Sequence, residues 1–302
     1  MYSRQIEEII AQIKRGYAAK YDRVVIEATP VLNQRRQELV LRGRVLLSSQ
    51  RDRIVNALGK RIPFKIIDRL LILSDPTQPA LNWGKAGQEI VGLRRQRDSF
   101  ELSTQTTPED NPFRVLIKDG RQYLIQLDDL SLGWVYEDEI VILEPPWEDL
   151  WKEIKRPEKG KLIKIEPKDL SKLANTALKY VRITPYHRGG RSRQGLDCSG
   201  LIQVIFKEAL DLVLPKHALD QMKMGQRLSR LERQTGDLIF AKVIGRNIVH
   251  VGLLLVNQKK KVVHSCLRKG QVVAEALEDF LKNYKPVGYR RYLFTSPEGK
   301  DD

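Results

Sequence analysis

The segment GLDCSGLIQVIF, residues 195–206, places Cys198 between an aspartate and an apolar run. Asp197 is a residue type that caps helix N-termini, and the run after it predicts a buried helix. Cys198 then lies in the first turn, where unpaired backbone N–H groups and the helix dipole favour the thiolate and lower the thiol pKa. The pattern predicts a nucleophile. The alternative is an inert buried cysteine, the commonest fate of a free thiol.

Two of the four histidines are predicted to meet on one face of a hairpin. NIVHVGLLLV carries His250 on one strand, and KKKVVHSC carries His264 on the next. A tip of three residues, 257–259, pairs His250 with Cys266 and puts His264 on the same face, diagonal to His250. A tip of two or four residues would put the imidazoles on opposite faces. The three-residue tip predicts a base histidine held by a second polar group and facing the cysteine, as in thiol proteases.

A zinc site is the competing interpretation of the same residues. Cys198, His250 and His264 could supply three ligands, with Cys266 near them. No short ligand pair such as CxxC or HxxxH starts such a site in this sequence. We therefore predict thiol chemistry without a metal or a cofactor.

Several separate motifs agree in order and spacing with one known family. The set TPYHRGGRSRQGLDCSGLIQVIF, LPKHALDQ, GDLIF, VHVGLLL and VVHS, within about residues 168–292, resembles the NlpC-type family of bacterial cell-wall cysteine peptidases. The resemblance implies a papain-like α+β fold, in which the cysteine helix packs on an antiparallel sheet that carries both histidines. It also implies hydrolysis of peptidoglycan stem peptides, typically at the γ-D-glutamyl–diamino acid bond.

The resemblance also implies a role for each matching residue. Its catalytic residues would be Cys198 as nucleophile, His250 as base and His264 as the residue that orients His250; its substrate-binding residues would be Tyr186, Asp197, Ser199 and Arg188. Arg188 and Ala218 depart from the family, which usually has Trp and Ser or Thr there, so the substrate preference is open. We interpret His187 and His217 as rim residues, and Arg188 and Arg191 are expected to border the site.

The elements before this segment predict two smaller units. Ile6, Ile9, Ile10, Ile13 and Tyr17 form the stripe of an amphipathic helix. The segments RVVIEA, ELVLRGRVLL and FKIIDRLLIL predict strands, and SSQRDRIVNALGK predicts a helix capped by Ser48 or Ser49. Residues 1–76 are therefore expected to be a small α+β domain, which weakly resembles BON-type modules.

A second unit, residues 84–145, is predicted to be a small all-β barrel. Its short alternating segments are typical of closely spaced strands. KDGRQYLIQLDDLSLGWVYEDEIVIL, with Gly133, Trp134 and Val135, resembles the end of a bacterial SH3-type barrel. SDPTQPALNWGKAG and EPPWEDLWKEIKRPEKGK are predicted to be linkers on either side. The third and largest unit, residues 160–295, would be the NlpC-type peptidase domain.

Composition limits the classes of function. The 302-residue chain is 41% hydrophobic and 30% charged, as in soluble globular proteins, and has no apolar run that could span a bilayer. The net charge of +15 favours anionic partners, but the basic residues are scattered and no nucleic-acid motif is present. An anionic wall or membrane surface fits equally well. The N-terminus has no apolar signal-peptide core, so we expect a cytoplasmic protein, or an envelope protein if a signal was removed.

The predicted function is thus a cysteine endopeptidase acting on peptidoglycan stem peptides. The alternatives are a thiol amidase or acyltransferase on the same platform, or a wall-binding protein whose catalytic domain is inactive. The oligomeric state is open.

Overall fold

A computed structural model describes residues 2–18, 26–144, 147–229, 231–244, 249–256 and 259–295. Among these residues, no helix is both long enough and apolar enough to cross a membrane.

The first unit is a three-stranded sheet covered by two helices. Its elements are α1 Tyr2–Ala18, β1 Ile26–Asn33, β2 Glu38–Val45, α2 Ser48–Gly59 and β3 Lys65–Ile72. β1 runs antiparallel to β2, and β3 runs parallel to β2 because α2 forms the crossover between them. The isoleucine stripe of α1 is buried against the sheet, as predicted. Residues 23–25 of the predicted strand RVVIEA lie outside the described residues.

The predicted serine cap of α2 is wrong. The helix already includes Ser48, and its N-cap is Leu47, which makes no capping side-chain bond. Gln50 supplies an acceptor instead: its buried Oε1 accepts hydrogen bonds from the N–H groups of Leu46 (2.9 Å) and Leu47 (3.0 Å). Both serines therefore lie inside the helix, and neither occupies the N-cap position that precedes it.

The second unit is a seven-stranded antiparallel sheet. Its strands are β4 Asn82–Ala86, β5 Val91–Arg94, β6 Leu102–Thr106, β7 Phe113–Asp119, β8 Gln122–Gln126, β9 Leu132–Tyr136 and β10 Ile140–Leu143, with a 3₁₀ turn at Glu137–Glu139. The spatial order is β10-β4-β7-β8-β9-β5-β6. That this unit is an SH3-type barrel stays a prediction.

Both predicted linkers contain packed structure, so the linker predictions are wrong in part. β4 lies inside the first one and pairs with β7 and β10. The second contains α3, Glu148–Glu153, whose Trp151 is buried. Trp151 Nε1 donates to the carbonyl of Pro112 at 2.6 Å, and its ring meets that of Trp83 edge-on, with 5.5 Å between centroids. The pairing of two distant tryptophans holds both segments against the sheet.

Trp134 joins the first two units. It packs in one buried cluster with Leu46 and Leu73 of the first unit and with Leu116 and Leu124 of the second. The SH3-type resemblance placed Trp134 in the strand that closes the barrel. In the structure, Trp134 lies on β9 and fills the boundary between two units.

The third unit has a six-stranded antiparallel sheet with helices against it. Its elements are β11 Ile163–Ile165, α4 Pro167–Lys179, β12 Arg191–Ser192, β13 Gly195–Leu196, α5 Cys198–Leu210, α6 Ala218–Gln221, β14 Gln226–Arg227, β15 Leu238–Val243, β16 Val249–Leu255, β17 Lys261–Cys266, a 3₁₀ turn Leu267–Lys269, β18 Gln271–Ala276, α7 Leu277–Asn283, β19 Tyr284–Arg291 and β20 Leu293–Thr295. The large sheet has the order β14-β19-β15-β16-β17-β18. α5, apolar almost all round, is buried between this sheet and α4. The predicted α+β class is confirmed, with the cysteine helix on the histidine-bearing strands.

Candidate active site

The first turn of α5 holds Cys198, and Asp197 caps it as predicted. Asp197 Oδ1 accepts hydrogen bonds from the Gly200 N–H at 2.7 Å and from the Ser199 hydroxyl at 3.0 Å. Its Oδ2 accepts one from the Gly189 N–H at 3.0 Å. The carboxylate therefore ties the helix start to the loop that precedes it and fixes the position of the thiol.

Gly200 allows this helix start to lie against the preceding loop. A Cβ at this position would lie 2.2 Å from the carbonyl oxygen of Gly190, which is too close for any other residue. Because the contact is with backbone, a side chain could not be accommodated by a rotamer change. Cys198 is thus held close to residues 186–190.

The thiol of Cys198 is neutral at rest, contrary to the predicted lowering of its pKa. Burial raises this pKa to about 12, and the nearby charge of Asp197 adds to the rise. The N–H groups of Val251, Ser199 and Cys198 itself favour the thiolate, as expected at a helix N-terminus. Desolvation outweighs them here. The sequence predicts that the thiol of Cys198 lies at a helix N-terminus, but it does not predict the desolvation of that thiol in the folded chain.

The hairpin has the predicted register. β16 and β17 pair Leu253 with Val263 and Leu255 with Lys261, and the same register places His250 opposite Cys266. Residues 257 and 258 of the predicted tip lie outside the described residues. His250 Nε2 and His264 Nδ1 are 2.8 Å apart, and the two rings meet at 89°. The predicted contact between the imidazoles is therefore present.

The strand that carries His250 also reaches the thiol. Val251, the next residue on β16, directs its N–H to the sulfur of Cys198. Both imidazoles are buried, His250 with 6% of its surface exposed and His264 with 0%. Desolvation holds the pKa of His250 well below 6.5 and also lowers the pKa of His264. The resting site thus contains a neutral thiol and two neutral imidazoles.

Two aromatic residues that the sequence analysis missed enclose the histidine pair. Tyr284 stacks on His250, with 4.6 Å between centroids and 17° between planes, and Phe280 stacks on Tyr284 at 4.4 Å. Phe280 also meets His264 edge-on at 5.1 Å. These rings exclude water from the contact between the imidazoles and hold the plane of His250. Only the three-dimensional path of α7 and β19 brings them there.

Glu275 was also missed, although a signal for it was present. His264 Nε2 donates to Glu275 Oε1 at 2.9 Å, and Lys269 Nζ donates to Oε2 at 2.6 Å. The bond from His264 is the main reason that the pKa of Glu275 falls to about 2. Glu275 is a lone charge in the apolar strand QVVAEA. Extending the parity argument from β17 to β18 would have placed it diagonal to His264 on the same face, since His264 lies opposite Val273.

The residues predicted to bind substrate differ in how they are placed. Tyr186 is half-buried; burial raises its pKa to about 12, and the next two causes are the proximity of Cys198 and Asp197. Ser199 is buried, with its hydroxyl on Asp197, while Arg188 is exposed. Tyr186 therefore borders the thiol, and Arg188 lies on the solvent side. Their roles in substrate binding stay predictions.

The expectation that Arg191 borders the site is wrong, because this side chain is buried among aspartates. Its guanidinium contacts Asp110 at 3.4 Å, Asp128 at 3.3 Å and Asp129 at 3.4 Å, and only 5% of the side chain is exposed. Gln203 of α5 donates to Asp129 at 2.7 Å. We call these four charged residues the Arg191 cluster. It joins the second unit to the platform of the cysteine helix.

Strand β6 of the second unit lies beside the loop that leads to Cys198. Gln105 Oε1 accepts a hydrogen bond from the Arg191 N–H at 2.9 Å, and Lys216 Nζ donates to Ser103 Oγ at 2.6 Å. A Cβ on Gly189 would lie 3.3 Å from the Ser103 carbonyl oxygen. The second unit thus packs against the loop that precedes Cys198.

Within the described parts of the chain, no three His, Cys, Asp or Glu side chains are grouped so that they could hold a metal ion.

His187 and His217, interpreted as rim residues, are both exposed.

Comparison with known proteins identifies the third unit. Residues 183–291 match the model of the NlpC/P60 family. The chain is 41% identical to a probable endopeptidase of Haemophilus influenzae over 30% of this chain and 55% of that protein. It is 34% identical to the murein DD-endopeptidase MepS/murein LD-carboxypeptidase of Escherichia coli K12 over 32% of this chain and 50% of that protein.

A further relative has a different name. The chain is 30% identical to the gamma-DL-glutamyl hydrolase of Bacillus subtilis over 38% of this chain and 28% of that protein. The chain spans about half the length of the two endopeptidase relatives that it matches.

Proposed function

We propose, from the NlpC/P60 domain at residues 183–291, that this protein is a cysteine endopeptidase that hydrolyses stem peptides of peptidoglycan. One observation carries the proposal. Cys198 opens a buried helix against the strand of His250, whose next residue directs its N–H to the sulfur, and His250 lies 2.8 Å from a second buried imidazole. A thiol, a base and a group that orients the base are the parts needed for acyl transfer through a thioester.

The reaction begins with proton transfer, because the resting thiol and imidazole are both neutral. His250 takes the thiol proton as the sulfur attacks the amide carbonyl, and His264 stabilises the imidazolium that forms. N–H groups of the first turn of α5, including that of Cys198, stabilise the oxyanion. His250 then protonates the leaving amine, a thioester remains on Cys198, and water activated by His250 hydrolyses it. Each step uses groups of the chain and water alone.

For the bond cleaved, we propose the γ-D-glutamyl–diamino acid bond, as the family resemblance implies. The Bacillus relative, which bears the name gamma-DL-glutamyl hydrolase, supports a glutamyl substrate. A second candidate is the D,D bond between crosslinked stems, because the Escherichia coli relative is named a murein DD-endopeptidase.

The test is digestion of defined muropeptides, with products identified by mass spectrometry. L-Ala-γ-D-Glu-diaminopimelate and a crosslinked dimer are incubated with the full-length chain, and with its Cys198→Ala variant as control. Release of L-Ala-γ-D-Glu from the tripeptide supports the proposed bond. Conversion of dimer to monomers with intact stems selects the D,D bond instead. If no product depends on Cys198, the endopeptidase proposal is wrong.

A further inference from the structure

A continuous line of hydrogen bonds leads from Glu275 to His250. Glu275 Oε1 lies 2.9 Å from His264 Nε2, and His264 Nδ1 lies 2.8 Å from His250 Nε2. All three side chains are buried. The line thus begins at a charge on β18, crosses β17 and ends at the imidazole of His250 on β16, the strand that reaches the thiol.

The chemistry of these groups determines where each proton lies. An ionised carboxylate can only accept hydrogen bonds, so Nε2 of His264 must carry the proton that faces Glu275. In a neutral His264, Nδ1 is then an acceptor, so Nε2 of His250 must donate to it. A neutral His250 with its proton on Nε2 has an unprotonated Nδ1. One carboxylate therefore sets the tautomers of two imidazoles.

We propose that Glu275 is a positioning residue for the thiol chemistry: its carboxylate sets the tautomers of His264 and His250, so that Nδ1 of His250 is the nitrogen that receives the thiol proton. This inference rests on the proposed roles of Cys198 and His250. It adds a fourth residue behind the cysteine and the two histidines. When His250 becomes an imidazolium, its Nε2–H already points at an acceptor, so no proton needs to move along the line.

The surroundings of Glu275 suit this role. Only 8% of its side chain is exposed, and its second oxygen accepts from Lys269 at 2.6 Å, so the carboxylate is held on both sides. Phe280 covers the ring of His264, which leaves Glu275 as its partner at Nε2. In the isosteric Glu275→Gln variant, the amide can also donate to His264 Nε2. That reverses the donor and acceptor roles in both hydrogen bonds and puts the proton of His250 on Nδ1. A protonated Nδ1 cannot accept the proton of the thiol.

Glu275→Gln is the test, with Glu278→Gln as its matched control. Glu278 is exposed in the first turn of α7, so this control removes an equal charge outside the hydrogen-bonded line. We expect kcat of Glu275→Gln to fall by about 10–100-fold, as for other partners that orient a functional histidine. KM should change less than about threefold, and the control should match the wild type. Equal kcat in the two variants would overturn the proposal.

Two further measurements separate positioning from structure. Ring ¹⁵N–¹H correlation spectra report tautomers directly, and they are recorded on a chain that keeps Glu275 and has the exposed His187 and His217 replaced by Gln to simplify the spectrum. We expect unprotonated Nδ1 on His250 and His264; a proton on Nδ1 of His250 would overturn the inference without any substitution at Glu275. Thermal unfolding of Glu275→Gln should stay close to that of Glu278→Gln. A variant that does not fold would leave this spectrum as the deciding measurement.

Alkylation of Cys198 by iodoacetamide gives a readout that needs no peptide. Its rate at neutral pH should be several-fold lower in Glu275→Gln than in Glu278→Gln, because His250 assists thiolate formation less well. If the wild type cleaves no muropeptide but the tautomers and alkylation rates are as expected, the proposed function fails and the role of Glu275 stands. If peptides are cleaved but kcat and the alkylation rate of Glu275→Gln both equal those of Glu278→Gln, the proposed function stands and the role of Glu275 fails.

Discussion

Replacing Arg191 by Met should destabilise the protein strongly, because it leaves three aspartates without their shared cation. Three of the four side chains in the Arg191 cluster are almost fully enclosed: the exposed fraction is 5% for Arg191, 2% for Asp128 and 0% for Asp129, against 18% for Asp110. Removing one partner of a buried ion pair costs about 3–5 kcal/mol. Unfolding entropy is about 2.1 cal/mol/K per residue, so 302 residues unfolding together convert this loss into a Tm decrease of about 5–8 °C.

The pH dependence of that deficit has a definite sign. Desolvation already raises the pKa of Asp128, and loss of the Arg191 charge raises it further. A carboxyl whose pKa is higher in the folded than in the unfolded state destabilises the fold above that pKa, and the penalty disappears as pH falls toward the unfolded value of about 3.9. The Tm gap between wild type and Arg191→Met should therefore be smaller at pH 5 than at pH 8.

Arg193→Met is the control, since Arg193 is 82% exposed and its pair with Glu208 is long, at 3.8 Å. Differential scanning calorimetry of both variants at the two pH values measures the effect. Arg193→Met should shift Tm by less than about 2 °C. An Arg191→Met shift no larger than that of Arg193→Met, or a deficit that grows on acidification, would refute the buried-charge reasoning.

Three predictions concern activity on muropeptides. Cys198→Ala should remove hydrolysis and keep the fold. Cys266→Ala should keep most of the hydrolytic activity, because Cys266 is buried against Tyr284. The profile of kcat/KM against pH should rise through a pKa below 6.5 and then stay level to about pH 9, because His250 is the base when neutral and the thiol pKa is raised to about 12. Peptides with a free L-Ala ammonium should be cut faster than muramyl-capped stems, since the carboxylate of Asp197 lies near the thiol and β6 packs against the loop before Cys198.

Each of these has an outcome that contradicts it. Hydrolysis by Cys198→Ala at the wild-type rate would exclude the thiol as nucleophile. An acid limb above 6.5 would show that His250 is not the desolvated base described. Equal rates on free and capped stems would show that the enzyme does not recognise the free N-terminus of the stem peptide, and would favour a wall-anchoring role for the second unit. Removing residues 1–145 is a poor test of this recognition, because the truncation would also remove the three aspartates that contact Arg191.

Local patterns were enough to predict the centre of the site. The cap of Asp197 depends on residues within a few positions of it, and the contact between His250 and His264 depends on one hairpin register. Both are short-range properties that alternation and capping rules describe. The same rules, applied to one more hairpin, would have placed Glu275.

Long-range packing accounts for what the sequence did not show. Arg191 meets aspartates 62–81 positions away, and Trp83 meets Trp151 across the second unit. No periodicity in either segment reports such a partner. The prediction of a lowered thiol pKa for Cys198 was wrong for a related reason. The main cause of the raised pKa is desolvation by the assembled fold, which a local motif does not report.

The cluster around Trp134 also has a consequence for synthesis on the ribosome. Leu46 and Leu73 are made first, but the apolar side chains that cover them, Leu116, Leu124 and Trp134, emerge some 40–90 residues later. During this interval the first unit can complete its own sheet and helices while two leucines stay in water. The growing chain therefore exposes an apolar patch until β9 has left the exit tunnel, and in this interval the first unit can associate with other apolar surfaces.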